Sequence, residues 1–306
     1  MATKRFNFDF YQCTTISGNE HRPLTPEDVF TQFFNQYQNR PQDTVKRVGN
    51  KITEMRLIEE TPEGFRGIIG KHRENDLPHA AIAGGGEREI TLNANENLLE
   101  KAYFKFYVSN NILVIQRNRY CYNWLHLGKY LSNSSQTTSI NPIIEPTSLE
   151  WLMRDEVRIK TLEIAIARPR NVQLFQPTQH DFNNAIVATL NGTNSAKVNL
   201  TLRGDARSQA PDERYLGSTI KRALTETLET FEVEKLQLET KNTVTGIEHP
   251  IDLVSEKLNF HADLQMIGRY PLGEDIWNAL DEAKTSKEDE LAAYFGNPGQ
   301  QVIAGR

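Results

Sequence analysis

The sequence predicts an α+β fold in two regions, and three observations carry that prediction. Strict apolar–polar alternation recurs in strand-length stretches, as in "KRFNFDFYQ" (4–12) and "EVRIKTLEIAIA" (156–167). Between such stretches lie segments of helical period with recognisable starts. A polar stretch with two prolines, "SNSSQTTSINPIIEPTS" (132–148), separates an earlier part from a later one and reads as a linker.

In the N-terminal region, residues 1–131, Phe6, Phe8 and Phe10 alternate with polar residues and mark a first strand over 4–16. Thr25 is placed to cap a helix, with Pro26 at its first position and Glu27 and Asp28 in its first turn. Val29, Phe30, Phe33, Phe34 and Tyr37 give that helix an apolar stripe. "KITEMRLIEE" and "GFRGIIGKH" read as a strand pair joined across Thr61–Gly64. Residues 71–89 are irregular, and "EREITLN" reads as a short strand. "AYFKFYVSNNILVIQRNRY" reads as a hairpin turning at Ser109–Asn111, and "YNWLHLGKYL" as a short helix.

The C-terminal region, residues 149–296, opens on a short capped helix, "TSLEWLMRD". The 156–167 strand follows, then a helix in "TQHDFNNAIVATL", a strand in "AKVNLTLRG" and a long helix in "DERYLGSTIKRALTETLETF". Strands in "VEKLQLETKN" and "EKLNFHADLQMIG" come next, and "GEDIWNALDEAKTSKEDELAAYF" closes with one or two helices. This β-α-β-α-β-β-α order suggests a ferredoxin-like arrangement. Residues 297–306 read as a loose tail.

The net charge is −5 and the pI about 5.9, which argues against a generally basic nucleic-acid-coating protein; binding of that kind needs a local patch. Residues 1–144 hold 17 Lys+Arg against 15 Asp+Glu, and the remainder 18 against 25, so the two regions expose different surfaces. Cys13 and Cys121 are the only cysteines, too few for a four-thiolate zinc site or a disulfide framework. "MATKRFNFDFYQC" lacks the apolar core of a signal peptide, and no window approaches ~18 uninterrupted apolar residues. A cytoplasmic protein without a membrane span is expected.

Most catalytic signatures are missing: no phosphate-binding loop, no H-E-x-x-H, no G-x-S-x-G and no C-x-x-C pair. "AIAGGGEREI" lacks the Lys-Ser/Thr of a phosphate loop and reads as a flexible connector. "KHRENDLPH" gathers His72, Arg73, Glu74, Asp76 and His79, the residue types of a metal-dependent nuclease, but its Asn75–Asp76–Leu77–Pro78 core reads more simply as a solvated turn. His249 and His261 read as structural or exposed, and Cys121 has no base to activate it. No catalytic residue, metal ligand or cofactor is assigned.

The strongest feature is "LVIQRNRYCYNWLHLGKY" (113–130). From Lys101 to Ile144 there is no Asp or Glu, while Lys101, Lys105, Arg117, Arg119 and Lys129 are basic. Arg117 and Arg119 are two apart and share one face of an extended chain. Arginines so placed can grip phosphates, and Tyr120, Tyr122 and Trp124 can stack on bases. Arg154, Arg158, Lys160, Arg168 and Arg170 form a second basic cluster, with Arg168 and Arg170 at the end of the 156–167 strand. The simpler reading makes Ile112, Val114, Ile115 and the helix leucines core and leaves the arginines solvated.

The order of elements, from "ENDLP" through "YFKFYVSNNILVIQRNRY", "LHLGKYL" and "LEIAIARP" to "VNLTLRG" and "LQLETKN", resembles uncharacterised bacterial and prophage-encoded proteins, and in outline the RexA-type phage-exclusion family. The resemblance covers about residues 60–270 as an order of elements rather than identities. It implies an α+β body that dimerises and binds DNA without strong sequence preference, and no catalytic residue carries over. The expectation is a nucleic-acid-binding component of an anti-phage or prophage-encoded exclusion system, with DNA favoured over RNA. Arg117, Arg119, Lys105 and Lys129 would contact phosphates, and Arg168 and Arg170 would assist. The alternatives are a protein–protein subunit of a multi-gene defence complex and a metal-dependent nuclease at Glu74–Asp76–His79.

Overall fold

The computed structural model describes residues 2–17, 23–122, 124–167, 180–193, 195–231 and 233–296. The chain begins with β1 (Thr3–Ser17), α1 (Pro26–Asn39), β2 (Lys46–Val48), β3 (Lys51–Thr61) and β4 (Gly64–Arg73). A two-residue pair, β5 (Ala80–Ala81) and β6 (Glu87–Arg88), precedes β7 (Leu98–Tyr107), β8 (Ile112–Gln116), α2 (Trp124–Leu131) and β9 (Gln136–Pro142). Then come α3 (Pro146–Met153), β10 (Val157–Ala167), α4 (Asp181–Thr193), β11 (Lys197–Arg203), α5 (Ile220–Thr230), β12 (Val233–Asn242) and β13 (Glu248–Asp252). The last elements are β14 (Asn259–Gln265), α6 (Gly273–Ser286) and α7 (Glu288–Gly296).

This is an α+β fold, as the alternation and helix starts predict. An eight-stranded sheet runs β14-β1-β8-β7-β4-β3-β2, with β9 pairing β1 on the same edge as β14, beyond its end and opposite β8; a four-stranded sheet runs β11-β10-β12-β13. Every strand pair is antiparallel. β1 spans 15 residues and serves three partners: Thr3–Asp9 pair with β14, Phe8–Gln12 with β8 and Tyr11–Ser17 with β9.

Several local expectations hold at residue level. Thr25 caps α1 in a reciprocal box with Asp28, whose carboxylate accepts the Thr25 backbone N–H at 2.8 Å. This satisfies helix-end donors that have no partner inside the helix. The β7–β8 turn lies at Ser109–Asn111, where Asn110 and Asn111 take positive φ (60° and 53°), a conformation asparagine tolerates.

"ILVIQ" is buried along its whole length because both faces of the large sheet are covered. Leu113 and Ile115 pack with Val29, Phe30 and Phe33 of α1 and Leu127 and Tyr130 of α2. Ile112 and Val114 join a second core containing Ile159, Leu162 and Ile164 of β10, Leu224 of α5 and Ile276 and Leu280 of α6.

That second core bears on the two-region expectation, because it contains residues of both sheets. The 132–148 stretch is not an exposed connector: residues 136–142 form β9, buried throughout and paired with β1. Several polar groups around it are satisfied internally, although Thr137 Oγ1 is buried without a partner among the described residues. The Thr138 N–H donates to Ser132 Oγ at 2.9 Å, Ser132 Oγ to the Gly128 carbonyl at 2.7 Å and Gln136 Nε2 to the Leu131 carbonyl at 2.9 Å. Polar composition therefore does not keep this segment in solvent. β14 leaves the second region and pairs with β1 of the first. The ferredoxin-like suggestion does not describe the pairing, since β10 and β11, joined through α4, are antiparallel neighbours. Other differences are local. Of "EREITLN" only Glu87–Arg88 is strand, the helix predicted over 212–231 begins at Ile220, α3 starts from Glu145 with Pro146 in its first turn, and β13 was not anticipated. The tail 297–306 lies outside the described residues.

Candidate functional site

The acid-free hairpin ends at a turn that sorts its cations. The Arg117 N–H donates to the Asn7 carbonyl at 2.7 Å, the last bond holding β8 to β1. Asn118 then reverses the chain, accepting the Tyr120 N–H on Oδ1 at 3.0 Å and donating Nδ2 to the Lys101 carbonyl at 2.9 Å. Arg117 falls on the core side of this turn and Arg119 on the open side.

Arg117 stays partly open to solvent, but its guanidinium is engaged by a buried carboxylate. Its Nε lies 3.0 Å from both oxygens of Asp9, and an Nη2 bond completes the fork. Asp9 is only 2% exposed and also pairs with Lys257 at 2.8 Å. The fork raises the Arg117 pKa. Lys105, buried to 9% exposure, is held by Glu63 at 3.3 Å and by Asp281. Lys129 sits half-buried on α2. Arg168 and Arg170 lie outside the described residues. Of the predicted cations, Arg119 therefore differs from Arg117 and Lys105 in having no carboxylate partner among the described residues.

Arg119 opens onto a concavity of about 320 Å³ lined by Lys51, Lys71, His72, Arg73, Asn75, Asp76, Glu100, Arg119 and Tyr120. The fold assembles it from hairpin ends. Thr53 is opposite Lys71 in the β3–β4 register, Lys71 is opposite Glu100 in β4–β7, and the 118–121 turn closes one side. Arg73 bonds the Asp76 carbonyl, and Asp76 takes φ 52° at the turn. The Arg119 guanidinium lies 4.7 Å from the Tyr120 ring centroid, and that ring is 52% exposed.

Four cations line this concavity against two acids, Asp76 and Glu100, and none of the four forms an ion pair with a described carboxylate. Burial holds the Lys71 ammonium below its usual pKa, and repulsion from Lys51 and Arg73 adds to the effect, against the pull of Cys121 and Glu100. Such a surface favours a multivalent anion, and Tyr120 adds a ring face for a base. Lys51, Lys71 and Arg73 were not among the sequence-predicted contacts. The strand pair joined across Thr61–Gly64 carried the signal, because that register brings Lys51 beside Lys71 and Arg73.

The remaining candidates take structural places. His72 Nε2 is 2.7 Å from Glu54, and Glu74 pairs with Arg47 at 3.2 Å. His79 lies 3.7 Å from Glu87. Among the described residues no group of three His, Cys, Asp or Glu side chains is placed to hold a metal ion. Cys121 is fully buried; burial pushes its thiol up to about 12, and Sγ donates to the Ile69 carbonyl at 3.5 Å. His249 packs edge-on against Trp151, 5.5 Å between centroids, and His261 is exposed beside Phe260. No described helix is long and apolar enough to cross a membrane.

The model of DUF6731, a family of unknown function, matches residues 1–285, and the chain belongs to that family. No curated protein and no solved structure matches the chain.

Proposed function

We propose that this protein binds nucleic acid with little sequence preference, through the concavity between the β3–β4 ends and the 118–121 turn. One observation carries this reading: Lys51, Lys71, Arg73 and Arg119 line one hollow without a carboxylate partner among the described residues, while Arg117 and Lys105 are neutralised by Asp9, Glu63 and Asp281. The unpaired cations would contact phosphates, and the Arg119–Tyr120 stack would offer a face to a base. Contacts from these cations to phosphates would carry no sequence information, which is why sequence preference would be weak. The preference for DNA over RNA and a role in phage exclusion rest on the resemblance in element order to RexA-type proteins.

Gel retardation with double-stranded DNA, single-stranded DNA and RNA across a salt series tests the reading. The expected result is salt-sensitive binding that Arg73→Ala with Arg119→Ala weakens for all sequences alike. Salt-independent binding, or binding unchanged in the folded double variant, would remove the hollow from consideration.

A second reading, docking of a protein partner, is favoured by a separate observation. A concavity of about 410 Å³ on the second sheet is lined by Glu163, Glu239, Asp252 and Glu256. A basic partner surface would fit it, and co-purification lost on reversing Glu239 and Glu256 would support that use.

A further inference from the structure

The large sheet ends on β14, an edge without proline, lysine or a bulge, whose one acid, Asp263, pairs with Arg5 at 3.3 Å. The Met266 N–H donates to the Ala2 carbonyl at 2.9 Å, and the Phe10 N–H donates to the Leu258 carbonyl at 3.2 Å. Even-numbered residues of this segment therefore bond inward to β1, and the N–H and C=O groups of Asn259, His261, Asp263 and Gln265 point outward. These four residues are exposed, and no described group bonds their outward backbone. β14 contains no proline, no lysine and no register shift. Natural edges commonly carry one of these devices.

The outer edge of β9 is covered by the residues before it, Ser132 Oγ accepting the Thr138 N–H and the Asn133 N–H donating to the Gln136 carbonyl, and the other edges of the two large sheets are guarded as well. β2 has three residues, and β13 contains Pro250. β11 has seven residues, but antiparallel pairing with itself at full overlap would set Lys197 against Arg203 at both ends. Like charges directly opposite are destabilising. The same operation on β14 gives the reverse result. Full overlap of the seven residues puts the two-fold axis at Ala262, sets His261 opposite Asp263 twice and sets Asn259 opposite Gln265 twice. In that register the outward groups meet each other, giving about eight new backbone hydrogen bonds. Phe260 and Leu264 stay on the core-facing side in both copies.

We propose that two copies of this chain join edge to edge along Asn259–Gln265, continuing the eight-stranded sheet across a two-fold axis at Ala262. Exposed Ile267 and Tyr270 follow the strand, where the start of the partner's β14 comes alongside and reduces their exposure. The pairing is self-complementary and closed, so it yields a dimer rather than a filament. It is independent of the nucleic-acid reading.

Light scattering and a register-specific crosslink test it. The expected mass is twice the 35.0 kDa of one chain. His261→Pro should give a monomer that still unfolds cooperatively, because the lost N–H faces outward and bonds nothing described in the chain, and its melting temperature should fall only by what dimerisation contributed. His261→Asp should weaken dimerisation roughly tenfold by opposing acids at two places, and adding Asp263→His should restore it. Ala262→Cys should form an interchain disulfide on oxidation, since the axis sets residue 262 against itself at about 4.5 Å between Cα atoms. Cys13 and Cys121 are buried and do not compete. A monomeric wild type would overturn the proposal. So would a dimer that survives His261→Pro, or one that Ala262→Cys fails to crosslink.

Discussion

Arg117 and Asp9 form a forked ion pair across the β1–β8 junction, with Arg117 Nε 3.0 Å from each carboxylate oxygen. Asp9 is buried, so its charge depends on Arg117 and on Lys257 at 2.8 Å. Arg117→Ala removes the fork and leaves one cation. Urea unfolding should show a loss of about 1.5–3 kcal/mol, the range for hydrogen bonds to charged groups. Nucleic-acid binding by the folded variant should stay near wild type, because the cations of the hollow are untouched. An unchanged unfolding midpoint would show that Lys257 alone satisfies Asp9.

Lys71 links stability to binding with opposite signs. Its folded-state pKa lies below the usual 10.5 through burial, helped by Lys51 and Arg73. The cost of keeping it charged is absent above 10.5, grows as pH falls toward the folded-state value and is fully present at pH 7. Lys71→Gln should therefore raise stability at pH 7, by a small amount because the site is partly open to solvent. The same change should weaken binding and flatten its salt dependence by about 0.7 for a single strand or 0.9 for duplex DNA. A variant that is both less stable and binds as before would contradict this account of the hollow.

His126 should make the fold sensitive to acid. Burial, with Lys71 and Lys129 nearby, lowers its pKa from 6.5 to about 4, and Nε2 lies 2.7 Å from Thr53 Oγ1. The unfolded chain takes up the proton near pH 6.5 and the folded protein resists it. This contribution is complete above pH 6.5 and is lost as pH falls through about 4. His126→Gln keeps a polar group near Thr53 and should flatten the fall in unfolding free energy between those values. Parallel pH profiles for wild type and variant would refute the assignment.

Proteolysis should distinguish two stretches that both lack a long apolar run. Ile82 and Gly84–Gly86 are exposed beside the two-residue β5–β6 pair, whereas residues 136–142 are buried in the β1 ladder. A protease of broad specificity should cut within 82–88 well before 136–142, since cleavage needs locally opened backbone. Mass spectrometry of the first fragments decides the order. Early cleavage at 136–142 would argue against the β1–β9 pairing.

Short-range pattern determined much of this protein. Alternation placed β1, β3, β4, β10 and β12, and the Thr25–Pro26–Asp28 start placed α1. The same reading located the β7–β8 turn at its asparagines. Each rests on backbone sterics and side-chain period over a few residues, which is information a short window holds. Only the tertiary structure decided which cations stay available. Arg117 and Arg119 are two residues apart, yet Arg117 meets Asp9, 108 residues away in sequence, while Arg119 turns out beside Arg73 and Lys71. Tertiary pairing also drew the polar "QTTSINP" into the sheet and returned β14 to β1. Strand partners and ion-pair partners are chosen by contacts between distant segments, and the buried hydrogen bonds that make a polar strand tolerable exist only once those segments have met.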